Sequence, residues 1–257
     1  MQQPISRNDI GYFSGEKEGH YFDRKSARIK VADAAKHVVA FANASGGKLV
    51  IGIEDNGAIT GFKCSGANEI EDFKQMPLVH CDPVPVVGIV EVPVVNNRGE
   101  EDIVLVLDVR VSTDRVISRR NDRGVFLRQG DKSVVLGYDQ ITALEYDKNQ
   151  RRFEDEVADR SSMEDIDPDV MARYRDEVGT DASDEQILRS RGMLVDGHLT
   201  NAGVLLFAKN PMRFIPCARV RVLRFDGSKM ETGRRLNIVK ERTFDGPFRR
   251  SLKAPRR

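Results

Sequence analysis

Cysteine is scarce in this 257-residue chain: there are 3, Cys64, Cys81 and Cys217, far apart and odd in number. That excludes a disulfide framework and any zinc-ligand spacing, and it points to a reducing compartment. An excess of one charge is also missing. Lys and Arg number 41 against 40 Asp and Glu, for a net charge of +1. A global basic field for nucleic acid is therefore excluded, and any such site must be local. No apolar run approaches the roughly 20 residues that span a bilayer. The longest candidate, residues 84–95, is interrupted by Pro85, Gly88, Glu91 and Pro93. The opening MQQPISRNDIGYF has neither an apolar core nor a cleavage pattern, so it is not a signal peptide. These absences lead to the expectation of a cytoplasmic protein with no membrane partner. The trio His80-Cys81-Asp82 reads as an ordinary loop, because neighbours on an irregular segment point in different directions.

What is present divides the chain into parts. Residues 1–14 read as a loose arm, with little apolar periodicity. Residues 20–25 form a short strand-compatible run. Residues 26–44 are helical, since Ile29, Ala32, Ala35, Val38, Val39 and Ala42 recur near a period of 3.6. Gly46-Gly47 stops that helix. A buried strand, residues 49–53, meets the tight-turn pair Asn56-Gly57, and residues 58–62 would return from it.

A short helix is expected over 67–79, then a hairpin of 87–95 and 102–111 across Asn96-Asn97-Arg98-Gly99. Another strand covers 124–129, with Val125 and Leu127 inward and Phe126 and Arg128 together on the other side. A helix at 139–146 closes this lobe. Residues 147–167 are charge-rich and suggest a linker or exposed helix. Two helices, 168–178 and 183–194, a buried run at 204–207 and a strand at 218–225 make a second, smaller α/β lobe. The expected fold is thus a mixed α/β lobe over 15–148, followed over 149–257 by a helical connector and that second lobe. The loose basic tail GPFRRSLKAPRR suggests that the last unit is incomplete. FANASGGKLVIGI and LTNAGVLLFA share an order of residues, a weak echo that by itself establishes no repeat.

Two constellations carry chemistry. The first is acidic: Glu18 and Asp23 precede Lys25, and Asp55 sits at the tip of the tight turn. Glu18 and Asp23 would face opposite sides of a regular strand, but Gly19 offers a bend that could align them. Three converging carboxylates can hold Mg²⁺ or Mn²⁺ beside a phosphodiester, and Lys25 could touch the phosphate. Against this, Asp55 before Asn-Gly is also plain turn composition, and Glu18 lies in the charged run EKEGH. The second constellation is basic: Arg115, Arg119, Arg120, Arg123, Arg128 and Lys132, opposed by Asp114, Asp122 and Asp131. Arginine suits bidentate phosphate contacts, and Phe126 could stack on a base. The alternative is a solvated loop with internal ion pairs and Phe126 in the core.

The motifs EGHYFDRK, AFANASGG and IGIED, with the later GVFLRQGDKSVV, resemble the Schlafen AlbA_2 domain over about residues 15–148. That family, formerly called divergent AAA_4 or a DNA-binding domain, carries Glu-x4-Glu-Phe-Lys, AFANT-x-GG, IGV-x-D and YIRxGSSS. The segment SDEQILRSRGMLVDGHLTNAGVLLFAKNPMRFIP is similar to the stretch C-terminal to the domain in bacterial relatives. Those are often named RecG-like helicases or transcriptional regulators and continue into a GHKL-type ATPase-like module. This chain stops before that module, so no ATP site is carried over.

The resemblance implies a nucleic-acid partner, RNA or DNA. Its nuclease members use two opening acids and an acid after the strand, which map to Glu18, Asp23 and Asp55. That implies a metal-dependent endoribonuclease with Lys25 assisting. Arg24 joins the nucleic-acid contacts as a cation where the family has phenylalanine, and Asp23 is one methylene shorter than the usual glutamate. The alternatives are a non-catalytic DNA-binding transcriptional regulator and an adaptor lobe of a larger ATPase-like protein. A homo-oligomer is compatible with all three.

Overall fold

The computed structural model describes residues 7–229 and 237–248. The chain divides into two units, residues 1–151 and 152–257, each with its own core. Residues 1–6 of the expected arm and 249–257 of the expected basic tail lie outside the described residues.

The first unit runs α1 (Arg7–Gly15), β1 (Phe22–Lys25), α2 (Val31–Asn43), β2 (Gly47–Ile51), α3 (Ile70–His80), β3 (Cys81–Asp82), β4 (Val87–Val95), β5 (Glu101–Val109), β6 (Ser118–Arg119), β7 (Phe126–Gln129), β8 (Lys132–Val135) and α4 (Tyr138–Asp147). A four-stranded mixed sheet in the order β1-β2-β5-β4 forms its centre, and only the β1–β2 pair is parallel. The register sets Leu49 opposite Leu107 and Ile51 opposite Leu105. Because side chains alternate across a strand, these residues share one face. They pack there with Ala35, Val38, Val39 and Ala42 of α2 and with Phe73 and Met76 of α3.

The reverse face is also dry. Val50, Val104 and Val106 pack with Phe13 and Phe22, whose rings stack at 5.7 Å. Segment 7–15 is therefore a helix and not a loose arm. Phe13, 4% exposed, supplies the apolar contact that orders it. Strand β5 is apolar on both sides, with Leu105 and Leu107 in one core and Val104 and Val106 in the other.

Helix α2 starts at Val31, five residues later than its periodicity suggests. Ser26 Oγ instead donates to Glu54, and Asn68 donates to the carbonyls of Ala27 and Ile29, so 26–30 becomes a turn. Gly46, with φ +76°, makes the left-handed exit from α2. A Cβ there would sit 2.8 Å from the Val109 carbonyl. The return from Asn56-Gly57 is a single bridge, Ile53 to Ile59, and not a strand. Gly61 (φ +63°) then diverts the chain, since a Cβ would meet the Asp102 carboxylate at 2.2 Å.

The second unit carries α5 (Pro168–Val178), α6 (Asp184–Ser190), β9 (Leu194–Val195), β10 (His198–Leu199), α7 (Asn201–Phe207), β11 (Val220–Phe225) and β12 (Ile238–Phe244). Asp167, Ser183 and Thr200 cap the three helices by accepting backbone N–H bonds. Helix α6 ends at Ser190, before left-handed Gly192, so the expected 183–194 helix stops early. Met171, Leu188, Leu199, Val204 and Phe207 form the core. Residues 147–167 hold short 3₁₀ turns at Phe153–Asp155 and Met163–Asp165. The two echoing segments differ in structure: Asn43 closes α2, whereas Asn201 opens α7.

Candidate nucleic-acid interface

Strand β1 brings Asp23 into the first unit, where it is 1% exposed. A buried carboxylate needs partners for both oxygens, and Asp23 has them. Its Oδ1 accepts from Lys25 Nζ at 2.5 Å. Its Oδ2 accepts from Arg128 Nη1 at 2.5 Å and lies 2.8 Å from His37 Nδ1. Arg128, wholly buried, also donates to the carbonyls of Gly19 and Phe22, and its guanidinium lies over the Phe41 ring at 4.9 Å. Lys25 Nζ makes a second ion pair with Glu18 Oε1 at 3.0 Å and donates to the Arg24 carbonyl.

The protonation states follow from this packing. Burial opposes the charge on Asp23, but the His37 ring and the Lys25 ammonium outweigh it and hold the carboxyl below the usual carboxylate range. Burial likewise opposes the Lys25 charge, and Asp23 and Glu18 reverse the balance and raise its pKa. His37 goes the other way: burial lowers its pKa despite Asp23. Its ring is therefore neutral near pH 7, and with a carboxylate opposite, Nδ1 carries the proton.

The structure thus brings together Glu18, Asp23, Lys25 and Arg128, and adds His37 and Ser133, which the sequence did not single out. Asp55 does not join them. It is exposed at the turn, and its backbone carbonyl accepts from Arg24 Nη2 at 3.0 Å. The inward acid of IED is Glu54, whose Oε1 accepts from Ser26, Arg28 and Thr60. Burial opposes its charge, and those bonds lower its pKa all the same.

Among the described residues no three His, Cys, Asp or Glu side chains are grouped to hold a metal ion. The donor set explains why. The Lys25 ammonium sits between Glu18 and Asp23 and pairs with both, and the second oxygen of Asp23 belongs to Arg128 and His37. These residues as arranged do not fit a divalent ion, which needs several free oxygen ligands. Burial pushes the Cys81 thiol up to about 12.

Arg24 also faces inward, at 9% exposure. It donates to the Phe13, Ser14 and Asp55 carbonyls, so it fastens the end of α1 to the 54–57 turn. Arg128 and Phe126 do not form an open polar face. The β7–β8 hairpin lies on α2, so Phe126 meets the main core while Val125 joins Val116 and Leu136 in a smaller one. Asn43 fixes this region: its side chain donates to the Ile117 and Phe126 carbonyls and accepts from Ile117 N–H.

What remains open is the loop around β6. Arg115, Arg120, Arg123 and Lys132 are exposed. Arg119 is held by Asp122 and lies over Phe126 at 5.2 Å. Arg120 donates to the Cys81 carbonyl, and Arg123, at φ +58° and with its side chain 82% exposed, reaches Asp82 at 3.5 Å.

A mixed sheet covered on both faces, a buried acid held by cations and an open arginine loop define a class of α/β lobe. Residues 18–137, which lie within this first unit, match the family described as Schlafen, AlbA_2. The match suggests a nucleic-acid partner. Among solved structures, the DIP2311 protein from Corynebacterium diphtheriae is similar at 21% identity over 94% of this chain and 52% of that one, with a TM-score of 0.37. The chain spans about half the length of that protein. No curated protein matches. No helix among the described residues is long and apolar enough to cross a membrane.

Proposed function

We propose that the first unit is a nucleic-acid-binding module that does not cut its partner, as in a DNA-binding regulator. The observation that carries this reading is the Lys25 ammonium between Glu18 and Asp23. A chain-borne cation there neutralises the acids that a metal nuclease would need to keep free. Those groups then serve the fold, by tying β1 to the β7–β8 hairpin. Binding falls to the exposed cations Arg115, Arg120, Arg123 and Lys132.

The test measures binding to duplex DNA and to single-stranded RNA across salt concentrations. Replacing those four cations by Gln should weaken binding at least about tenfold at low salt. On duplex DNA it should flatten the log–log salt slope by up to about 3.6, since each of the four phosphate contacts contributes about 0.9. Wild type and Asp55→Ala should both leave RNA intact in Mn²⁺. Mn²⁺-dependent cleavage by wild type that Asp55→Ala abolishes would overturn the non-cleaving reading.

A further inference from the structure

The last two strands described in the second unit, β11 and β12, form an antiparallel ribbon whose two faces differ in charge. The register pairs Val220 with Phe244, Val222 with Arg242, Arg224 with Lys240 and Leu223 with Glu241. On one face Arg221 meets Glu241 in a two-pronged ion pair, Nε–Oε1 at 2.6 Å and Nη2–Oε2 at 3.0 Å. That face is neutral, and Leu223 and Phe225 on it are partly covered. The opposite face presents Val222, Arg224, Lys240 and Arg242, all exposed. Arg224 and Lys240 stand directly across from each other, and Arg242 lies two residues along the same strand.

No acid shares this face among the described residues, and Asp226 and Asp245 lie just beyond the strand ends. Like charges directly opposite on a ladder destabilise it, so the arrangement calls for an external anion. The sequence repeats the signal on a larger scale. Residues 210–257 hold 14 Lys and Arg against 4 Asp and Glu, within a chain whose net charge is only +1.

We infer that the basic face of the β11–β12 ribbon is a second nucleic-acid contact, and that its partner is duplex DNA. Charge complementarity selects a polyanion. Shape selects the duplex: a two-stranded ribbon fits the B-DNA major groove, about 12 Å wide, whereas the RNA major groove is too narrow to enter. A single-strand platform would instead need open aromatic rings. On this face the one ring is Phe244, half-buried at the end of the ribbon. The inference goes beyond the proposal for the first unit and uses different residues, so either can fail alone.

The experiment uses the full chain and a random-sequence 20-base-pair duplex, read by fluorescence anisotropy between 50 and 200 mM salt. The triple variant Arg224→Gln, Lys240→Gln, Arg242→Gln should lower the salt slope by about 2 to 3 and weaken binding about tenfold or more. The control Arg221→Gln, Glu241→Gln alters only the neutral face and should bind as wild type. Circular dichroism and Tm should stay near wild type for the triple variant, because it removes a repulsion. Unchanged affinity and slope in the triple variant overturn the inference. An equal loss in the control does so too, as does a loss confined to single-stranded RNA. If the arginine-loop variant of the first unit loses binding while the ribbon variant does not, only the ribbon falls. The reverse result removes the arginine loop and keeps the ribbon.

Discussion

Arg128 and Asp23 show what a buried ion pair does to a small core. Neither can be removed alone without stranding the other in a dry environment. Arg128→Met should cost about 3–5 kcal/mol of stability, because Asp23 keeps its burial and loses one of the two cations that hold it at 2.5 Å. Urea unfolding of the variant measures this. His37 gives the network a pH dependence whose sign can be worked out. Its pKa is lowered in the folded state, so its contribution is full above the unfolded value near 6.5 and is lost as pH falls. Asp23 is also lowered, so its contribution holds above about 3.9 and is lost further into acid. Tm should therefore decline in two stages on acidification. His37→Gln should flatten the stage that begins as pH falls below about 6.5 and should also weaken the lower one, since the His37 ring helps to hold Asp23 low. The sequence disclosed Glu18, Asp23 and Lys25 as a group, because they lie within eight positions. It could not disclose Arg128, 105 positions from Asp23, since the pair exists only once the β7–β8 hairpin lies on α2.

At the scale of elements, local periodicity found α2, β2, the β4–β5 hairpin and α5 with small errors at their ends. It failed where long-range bonds decide. Ser26–Lys30 has helical spacing, but Glu54 and Asn68 claim its polar groups. Residues 7–15 lack a strong apolar stripe, and Phe13 gives α1 a seat against Phe22. Arg24 completes that seat by binding the Phe13 and Ser14 carbonyls, where a cation also suits the helix C-terminus. Arg24→Ala should release α1 while the sheet stays folded. Hydrogen exchange would then show faster exchange over residues 7–15 with unchanged protection at Leu49–Ile51. Where the resemblance leads one to expect phenylalanine, Arg24 anchors a helix.

For the whole molecule, balance of charge hides its segregation. Outside residues 210–257 the chain holds 27 Lys and Arg against 36 Asp and Glu. That remainder is acidic on average, so under the proposed function it binds a polyanion only where its arginines stand open. The two units also hold separate cores. A defect at Arg128 should therefore lower hydrogen-exchange protection across α2 and β5. Leu188 and residues 204–207 should keep theirs.

The ammonium lodged between Glu18 and Asp23 has a last consequence, for supply. A positive charge fixed to its own strand is neither recruited from the medium nor stripped from it. Treatment with EDTA should leave this corner of the lobe as well ordered as before. Scarcity of trace elements in a cell should not touch it.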